Sequence, residues 1–172
     1  MSKLDTQNLT LEEKLELADQ TSRGYFRSGL NCSECVLRTF MDMHDVNFPD
    51  EIIALASGFG GGIGHTKNTC GAVSGAVLAL GTVLGRRNPF ENESVAENVK
   101  QLYGGIYPKF ADMVNEVKDN YGTIICSELS DPMGDWEGKT RKKNCMAITA
   151  YCSQLAEKHA NKYFEDAEKS EE

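Results

Sequence analysis

The stretch from Gly58 to Gly85 constrains the fold most, because glycine and other small residues dominate it. It begins Gly-Phe-Gly-Gly-Gly-Ile-Gly, with five glycines in seven positions, so this backbone can adopt positive φ angles or approach another group closely. The part from Cys70 to Gly85 has no charged residue and predicts a helix with Thr69 as its N-cap. Because small side chains let neighbouring helices come close, we expect this helix to lie at the centre of the fold.

Helical signals cover most of the remaining chain. Thr10 with Glu13, and Asn31 with Glu34, have the spacing of capping boxes, which predicts helices that begin after Thr10 and after Asn31. Three further helical regions are expected, over residues 49–56, over residues 91–117 with a break near Gly104, and from residue 140 onwards. No useful strand alternation is present. We therefore predict an all-α fold, a compact bundle of about five to seven helices with a glycine-rich loop before the central helix.

Composition limits the number of domains and the possible partners. With 172 residues, of which 40% are hydrophobic, the chain is expected to form a single domain with its own core and a charged, frayed end from about residue 165. Its formal net charge of -8 disfavours nucleic acids and anionic lipid surfaces. A homo-oligomer is possible, since a helix of small residues permits close pairing within one chain or between two.

Neither a signal peptide nor a membrane span is predicted. The N-terminal residues are interrupted by acids and amides and contain no apolar core of the length that secretion requires. The uncharged stretch 68–85 approaches the lower length limit for spanning a bilayer, but its small and polar residues favour a buried helix instead. We therefore expect a cytoplasmic protein without membrane insertion.

Cysteines are the residues with the clearest chemical potential. The chain has six of them, namely Cys32, Cys35, Cys70, Cys126, Cys145 and Cys152. In a reducing compartment structural disulfides rarely persist, so catalysis, metal binding or packing must explain these residues. Packing is an alternative for each cysteine taken singly, because free cysteine is among the most buried residue types.

Local sequence predicts thiolate character at three of these positions. Cys32 and Cys70 are expected in the first turn of a helix, where unpaired backbone N–H groups lower the pKa of a thiol. Cys145 follows three consecutive cationic residues, 141–143, which would act in the same direction near a helix start. The thiolate is the form that attacks disulfides and binds metals.

Cys32 and Cys35 form a Cys-Ser-Glu-Cys unit, whose i, i+3 spacing places both on one helix face. The pair is a candidate redox couple, although a thioredoxin-like setting would require a preceding strand that this sequence lacks. It is equally half of a four-cysteine zinc pattern, of which the second half is missing. Cys152 lies seven residues after Cys145 on the same face, and for Cys152 packing in the core is the favoured interpretation.

The glycine segment and its histidine have several possible roles. The segment lacks the Lys-Ser/Thr ending of a phosphate-binding P-loop, so nucleotide binding is disfavoured. Its glycines instead allow the backbone to pack beside the start of the Cys70 helix, where N–H groups can donate to a sulfur or an anion. His65 is a candidate metal ligand or base, with solvation as the favoured alternative. The candidate cofactor-binding residues are Gly60, Gly61, Gly62 and Gly71.

The order of these features resembles a known family. Asn31-Cys32 opens a helix, the glycine segment follows, and then come Cys70-Gly-Ala-Val-Ser-Gly75, Cys126 and Cys145. This order, spanning residues 24–152, resembles the redox-active family named for its C_GCAxxG_C_C cysteine pattern. The resemblance implies redox activity and four characteristic cysteines, which fall on Cys32, Cys70, Cys126 and Cys145, with Cys35 and Cys152 as extras.

Three hypotheses follow for function. In the leading one, the four characteristic cysteines converge in a cytoplasmic redox protein and cycle between dithiol and disulfide, exchanging electrons with an unidentified protein or small molecule. Cys35 is then an accessory to Cys32. The second hypothesis is that Cys32, Cys70, Cys126 and Cys145 hold an iron-sulfur cluster or zinc. The third is a non-catalytic helical module in which the cysteines pack the core.

Overall fold

The computed structural model describes residues 3–171 and shows an all-α architecture. The α-helices of this part of the chain are α1 (Leu11–Arg27), α2 (Cys32–Met43), α3 (Gly71–Leu84), α4 (Val95–Lys100), α5 (Tyr107–Tyr121), α6 (Cys126–Ser130) and α7 (Lys139–Glu171). Two 3-10 helices (Asp50–Phe59 and Asp131–Met133) and a π-helical segment (Gln101–Ile106) join them. Within residues 3–171 no strand forms, and β-type pairing is limited to one antiparallel bridge between Thr69 and Ile125. The predicted fold class is confirmed.

Both predicted capping boxes form. The Thr10 side chain accepts from the backbone N–H of Glu13, and the Glu13 carboxylate accepts from the backbone N–H of Thr10. Asn31 and Glu34 make the same reciprocal pair at the start of α2. Each pair satisfies backbone donors that would otherwise lack a partner, so local sequence alone determines where α1 and α2 begin.

Helix α3 lies at the centre of the fold, as its small residues predicted. It packs against α2, α5 and α7, while α1 covers α2 and α7. Ala72, Ala76 and Leu80 are fully buried. A Cβ atom added at Gly75 would lie 2.8 Å from the Cα and the carbonyl oxygen of Ser33. The absence of a side chain at this glycine therefore permits the close contact between α2 and α3.

Other predicted helix boundaries require correction. Thr69 was expected to cap α3, but it pairs with Ile125 in the antiparallel bridge, and Cys70 becomes the N-cap of a helix that begins at Gly71. The helix expected over residues 49–56 is a 3-10 helix that continues to Phe59. The break expected near Gly104 is a π-helical segment that joins α4 directly to α5.

The last helix contains 33 residues. Its predicted inner face is confirmed, because Cys145, Ile148, Cys152 and Leu155 are all buried. The fraying expected from about residue 165 stays a prediction, and residue 172 lies outside the described residues. In the described part of the chain, no helix is both long enough and apolar enough to cross a bilayer.

Candidate functional site

Four cysteines from four separate segments line one small cavity of about 40 Å³. Cys32 is the first residue of α2, Cys70 is the N-cap of α3, Cys126 begins α6 and Cys145 lies in α7. All six cysteines of the chain are free thiols. The structure therefore brings together the four positions that the family resemblance singled out. The remaining lining residues are Gly61, Gly71, Leu129, Trp136, Arg141, Ile148 and Thr149.

Backbone hydrogen bonds bring Cys70 and Cys126 to the same place. The Cys70 N–H donates to the carbonyl of Ile124 at 2.8 Å, and the Cys126 N–H donates to the carbonyl of Asn68 at 2.6 Å. These bonds continue the pairing of Thr69 with Ile125. Two segments that are more than 50 residues apart in sequence thus deliver their cysteines side by side.

The glycine segment closes against the thiols because it lacks side chains. A Cβ atom at Gly62 would lie 2.7 Å from the Cβ of Cys126, and one at Gly71 would lie 2.7 Å from the carbonyl oxygen of Phe59. A Cβ atom at Gly60 would lie 2.9 Å from the side chain of Asn31. The space beside these glycines is therefore filled by protein atoms, so packing accounts for them. A cofactor-binding role for Gly60, Gly61, Gly62 and Gly71 stays a prediction.

The same segment has an unusual backbone. Residues 61–65 all have positive φ, including Ile63 at 61° and His65 at 65°. Positive φ is unfavourable for a β-branched residue, so Ile63 is held in a strained conformation. Thr66 and Lys67 help to hold it, because the Thr66 hydroxyl donates to the carbonyl of Ile63 and Lys67 forms an ion pair with Asp131. Strain of this kind beside a cavity is characteristic of functional sites.

Burial reverses the expected thiolate character of Cys32 and Cys70. Burial raises the pKa of Cys32 to about 11 and that of Cys70 to about 12. Backbone amides at the start of α3, those of Ala72 and Val73, lower the pKa of Cys70, but their effect is smaller than that of burial. Burial also raises the pKa of Cys126. The prediction from helix position was therefore wrong for Cys32 and Cys70, because loss of hydration outweighs the helix N-terminus.

Cys145 lies next to a buried cation. The Arg141 Nη1 donates to the Cys145 Sγ at 3.7 Å, and Arg141 is only 7% exposed. Of the three cationic residues expected near this thiol, Arg141 makes this contact, whereas Lys142 forms an ion pair with Glu137 at the surface. A positive charge in hydrogen-bond contact favours a thiolate. At Cys32 and Cys126 burial outweighs the pKa-lowering effect of the same charge, and Cys145 is the lining thiol to which Arg141 donates a hydrogen bond.

Trp136 is the main residue of the site that sequence reasoning missed. It lies in the segment between α6 and α7, which was interpreted only as a loop. Its ring lies 4.3 Å from that of His65 and 4.1 Å from the Arg141 guanidinium carbon, and its carbonyl accepts from the Arg141 Nε at 2.7 Å. Trp136 is the only tryptophan in the chain, and this was the sequence signal that could have indicated a role for it. Trp136 connects the glycine segment to the start of α7.

Thr149 was also missed. Its hydroxyl donates to the carbonyl of Cys145 at 2.7 Å, one helical turn earlier, and its presence beside Cys32 lowers the pKa of that thiol by a smaller amount than burial raises it. The side chain is fully buried and lines the cavity. Thr149 and Arg141 are thus polar side chains that line the cavity together with the cysteines.

The two extra cysteines do not line the cavity. The Cys35 Sγ lies 3.6 Å from the carbonyl oxygen of Leu30, to which it donates, and burial raises its pKa to about 12. Cys152 is completely buried in the hydrophobic core, and burial raises its pKa well above the usual value. Cys35 and Cys152 therefore lie outside the cavity lining although Cys32 is a neighbour of both, and packing accounts for Cys152.

The arrangement of the donor groups bears on the metal hypothesis. His65 contacts Trp136, whereas His44 and His159 lie against Glu157 and Glu116. Among residues 3–171, no three Cys, His, Asp or Glu side chains are placed so that they could hold one metal ion. An iron-sulfur cluster or zinc held by Cys32, Cys70, Cys126 and Cys145 stays a prediction.

Comparison with known proteins gives matches to a family and to one relative. The family model described as "Putative redox-active protein (C_GCAxxG_C_C)" matches residues 30–159. A protein of Archaeoglobus fulgidus, described as an uncharacterized protein, is 22% identical over 147 residues, which cover 83% of this chain and 93% of that protein. No solved structure matches the chain.

Proposed function

The chain belongs to the C_GCAxxG_C_C family, and from this premise we propose that it is a thiol redox protein that cycles between a dithiol and a disulfide. The observation that carries the proposal is the convergence of Cys32, Cys70, Cys126 and Cys145 on one cavity. The family's description as redox-active supports the same chemistry. In each cycle two thiols lose two electrons and two protons as one sulfur–sulfur bond forms.

Cys145 is the thiol that reacts first. Arg141 donates to its sulfur, so the anion formed there is stabilised by a charge-assisted hydrogen bond. Burial raises the pKa of Cys32, Cys70 and Cys126, which keeps these neighbours protonated near neutral pH. A cation that donates to one sulfur among protonated thiols directs an oxidant to that sulfur.

Cys32 is the proposed partner of Cys145 in the disulfide. After burial, Cys145 is the neighbour that contributes most to raising the pKa of Cys32, which indicates that the two sulfurs are close. Cys145 has the same effect on Cys126, so Cys126 is the second possible partner. After burial, Cys32 is the neighbour that raises the pKa of Cys70 most. The Cys70 thiol would therefore attack the Cys32 sulfur of the disulfide in a thiol–disulfide exchange.

Thiol counting tests this function. The reduced protein is treated with hydrogen peroxide, denatured, alkylated, and analysed by peptide mass spectrometry. We expect one disulfide between Cys145 and Cys32 or Cys126, whereas Cys35 and Cys152 stay alkylatable. Cys145→Ala should prevent this disulfide, and the core variant Cys152→Ala should keep it.

Two results would contradict the function. One is that all six thiols of the oxidised protein remain free. The other is that oxidation joins Cys32 to Cys35, since that pair would make the cavity irrelevant to the chemistry.

A further inference from the structure

The size of the thiol cavity limits what can react inside it. Its volume is about 40 Å³, whereas a buried water needs about 10–15 Å³ measured in this way. A molecule of two or three heavy atoms therefore fits beside the sulfurs. A glutathione disulfide, or a disulfide on another protein, is many times larger and does not fit.

Three of the four lining thiols are also shielded from the surface, whereas Cys32 is partly exposed. Cys70, Cys126 and Cys145 are between 6% and 9% exposed. Attack on a disulfide requires the sulfur nucleophile to approach one sulfur of the pair directly, and reaction rates depend on this access. Thiols so deeply placed cannot reach a large disulfide unless part of the site opens.

Trp136 is the largest side chain that both lines the cavity and reaches the surface. It lines the cavity and is itself only partly buried. It is held from two sides, by the His65 ring of the glycine segment at 4.3 Å and by the Arg141 guanidinium at 4.1 Å. Lys67 adds a third contact, with its Nζ 5.5 Å from the ring centre. Contacts on several sides therefore hold the indole in place at the edge of the thiol cavity.

Arg141 and Thr149 provide polar groups for a small oxidant. Arg141 lines the cavity with a guanidinium that donates to the Cys145 Sγ and to the Trp136 carbonyl. A guanidinium has five N–H donors, so donors beyond these two are available for an oxygen atom. The Thr149 hydroxyl lines the same cavity. The guanidinium can stabilise the negative charge that develops on an oxygen when an O–O bond breaks. The one O–H of Thr149 donates to the Cys145 carbonyl, so its hydroxyl oxygen is left to accept a hydrogen bond from the peroxide.

We propose that Trp136 is the specificity-determining residue of this site, and that it restricts the thiols to hydroperoxides of few atoms, with hydrogen peroxide as the substrate. This inference rests on the proposed redox function. The Cys145 thiolate attacks one peroxide oxygen, the O–O bond breaks, and hydroxide leaves and takes up a proton to become water. The sulfenic acid formed on Cys145 then condenses with the Cys32 thiol, forming the disulfide and a second water. Two thiols and one peroxide thus give one disulfide and two waters.

A comparison of oxidants of different size tests the proposal. Wild type, Trp136→Ala and Trp136→Phe are treated with hydrogen peroxide or with glutathione disulfide, and the four lining thiols are followed by mass spectrometry. In wild type and Trp136→Phe we expect reaction with peroxide and little with glutathione disulfide. In Trp136→Ala the rate with glutathione disulfide should rise by about tenfold or more, because access to the sulfurs increases.

Phe90→Ala is the matched control, because Phe90 is 88% exposed and does not line the cavity. It should behave as wild type with both oxidants. Should Trp136→Ala fail to fold, wild type alone still tests the proposal. Methyl methanethiosulfonate, which adds one small group, should modify its lining thiols much faster than a reagent of the same chemistry with a bulky substituent.

The outcomes separate this proposal from the proposed function. If wild type forms the disulfide as fast with glutathione disulfide as Trp136→Ala does, Trp136 does not control access and the inference is overturned, while the redox function stands. If neither oxidant joins any of the four thiols in either protein, the function and the inference both fail. Equal rates for small and bulky methanethiosulfonates in wild type would likewise overturn the inference.

Discussion

The guanidinium of Arg141 donates to the sulfur of Cys145 from one helical turn earlier in α7, at 3.7 Å and almost out of contact with solvent. The same side chain donates to the carbonyl of Trp136 and lies against the indole ring. One buried cation therefore contacts both the thiol proposed to react first and the tryptophan that lines the cavity. Changes to Arg141 should affect both the chemistry and the access to it.

Replacing Arg141 by methionine should slow the reaction of Cys145. Methionine keeps an unbranched hydrocarbon stem but removes the charge and the hydrogen bond that Arg141 provides to the sulfur. We expect the rate of Cys145 alkylation by iodoacetamide at neutral pH to fall by about tenfold, the equivalent of about 1.4 kcal/mol. Lys142→Met is the control, because Lys142 pairs with Glu137 at the surface. Equal alkylation rates in the two variants would show that Arg141 does not affect the reactivity of Cys145.

The raised pKa of Cys70 predicts how stability depends on pH. Burial raises this pKa from 9.0 to about 12 in the folded protein, so between these values the folded state keeps a proton that the unfolded state loses. The stability contributed by the protonated thiol is fully present below pH 9 and is lost as pH rises towards 12. The slope from one such thiol reaches about 1.4 kcal/mol per pH unit.

Urea unfolding at several pH values measures this effect. The free energy of unfolding of wild type should decrease more steeply between pH 9 and pH 10.5 than that of Cys70→Ala. The comparison between the two proteins removes the contribution of lysines and tyrosines that titrate in the same range. Parallel curves would show that burial does not raise the pKa of Cys70.

The same substitution at two glycines of α3 should change the stability of the protein in opposite directions. At Gly75 a Cβ would lie 2.8 Å from the Ser33 backbone, whereas at Gly81 nothing lies within 4 Å. Gly81→Ala should stabilise the protein by about 0.5–1 kcal/mol, because alanine loses less backbone entropy in a helix. Gly75→Ala should destabilise it by about 1–3 kcal/mol, since α2 and α3 must separate. Thermal or urea unfolding of both variants provides the measurement, and a stabilised Gly75→Ala would contradict the close contact.

Two histidine–glutamate pairs differ in burial and should therefore differ in how much they contribute to stability. His44 contacts Glu157, which is 1% exposed, whereas His159 contacts Glu116, whose side chain is 35% exposed. His44→Ala removes a hydrogen-bond partner from an almost fully buried side chain and should destabilise the protein by about 1–3 kcal/mol. His159→Ala should cost less than about 1 kcal/mol from the loss of its pair. Similar losses in both variants would show that burial of Glu157 does not determine the outcome.

Several features of this protein depend on neighbouring residues in the sequence and could be predicted from it. The starts of α1 and α2 follow from Thr10 with Glu13 and from Asn31 with Glu34, because a capping box involves residues only three positions apart. The central position of α3 follows from its small side chains. The order of the cysteines and the glycine segment was sufficient to indicate the family.

Tertiary structure alone decided how those cysteines behave. Helix position predicted low pKa values for Cys32 and Cys70, but burial by distant segments raises both. Thr69 could not cap α3, because Ile125 from a remote segment pairs with it. Trp136 belongs to the site only because the fold places it against the glycine segment and α7. Desolvation, long-range pairing and access to a cavity all depend on which segments meet in space, and local sequence does not contain that information.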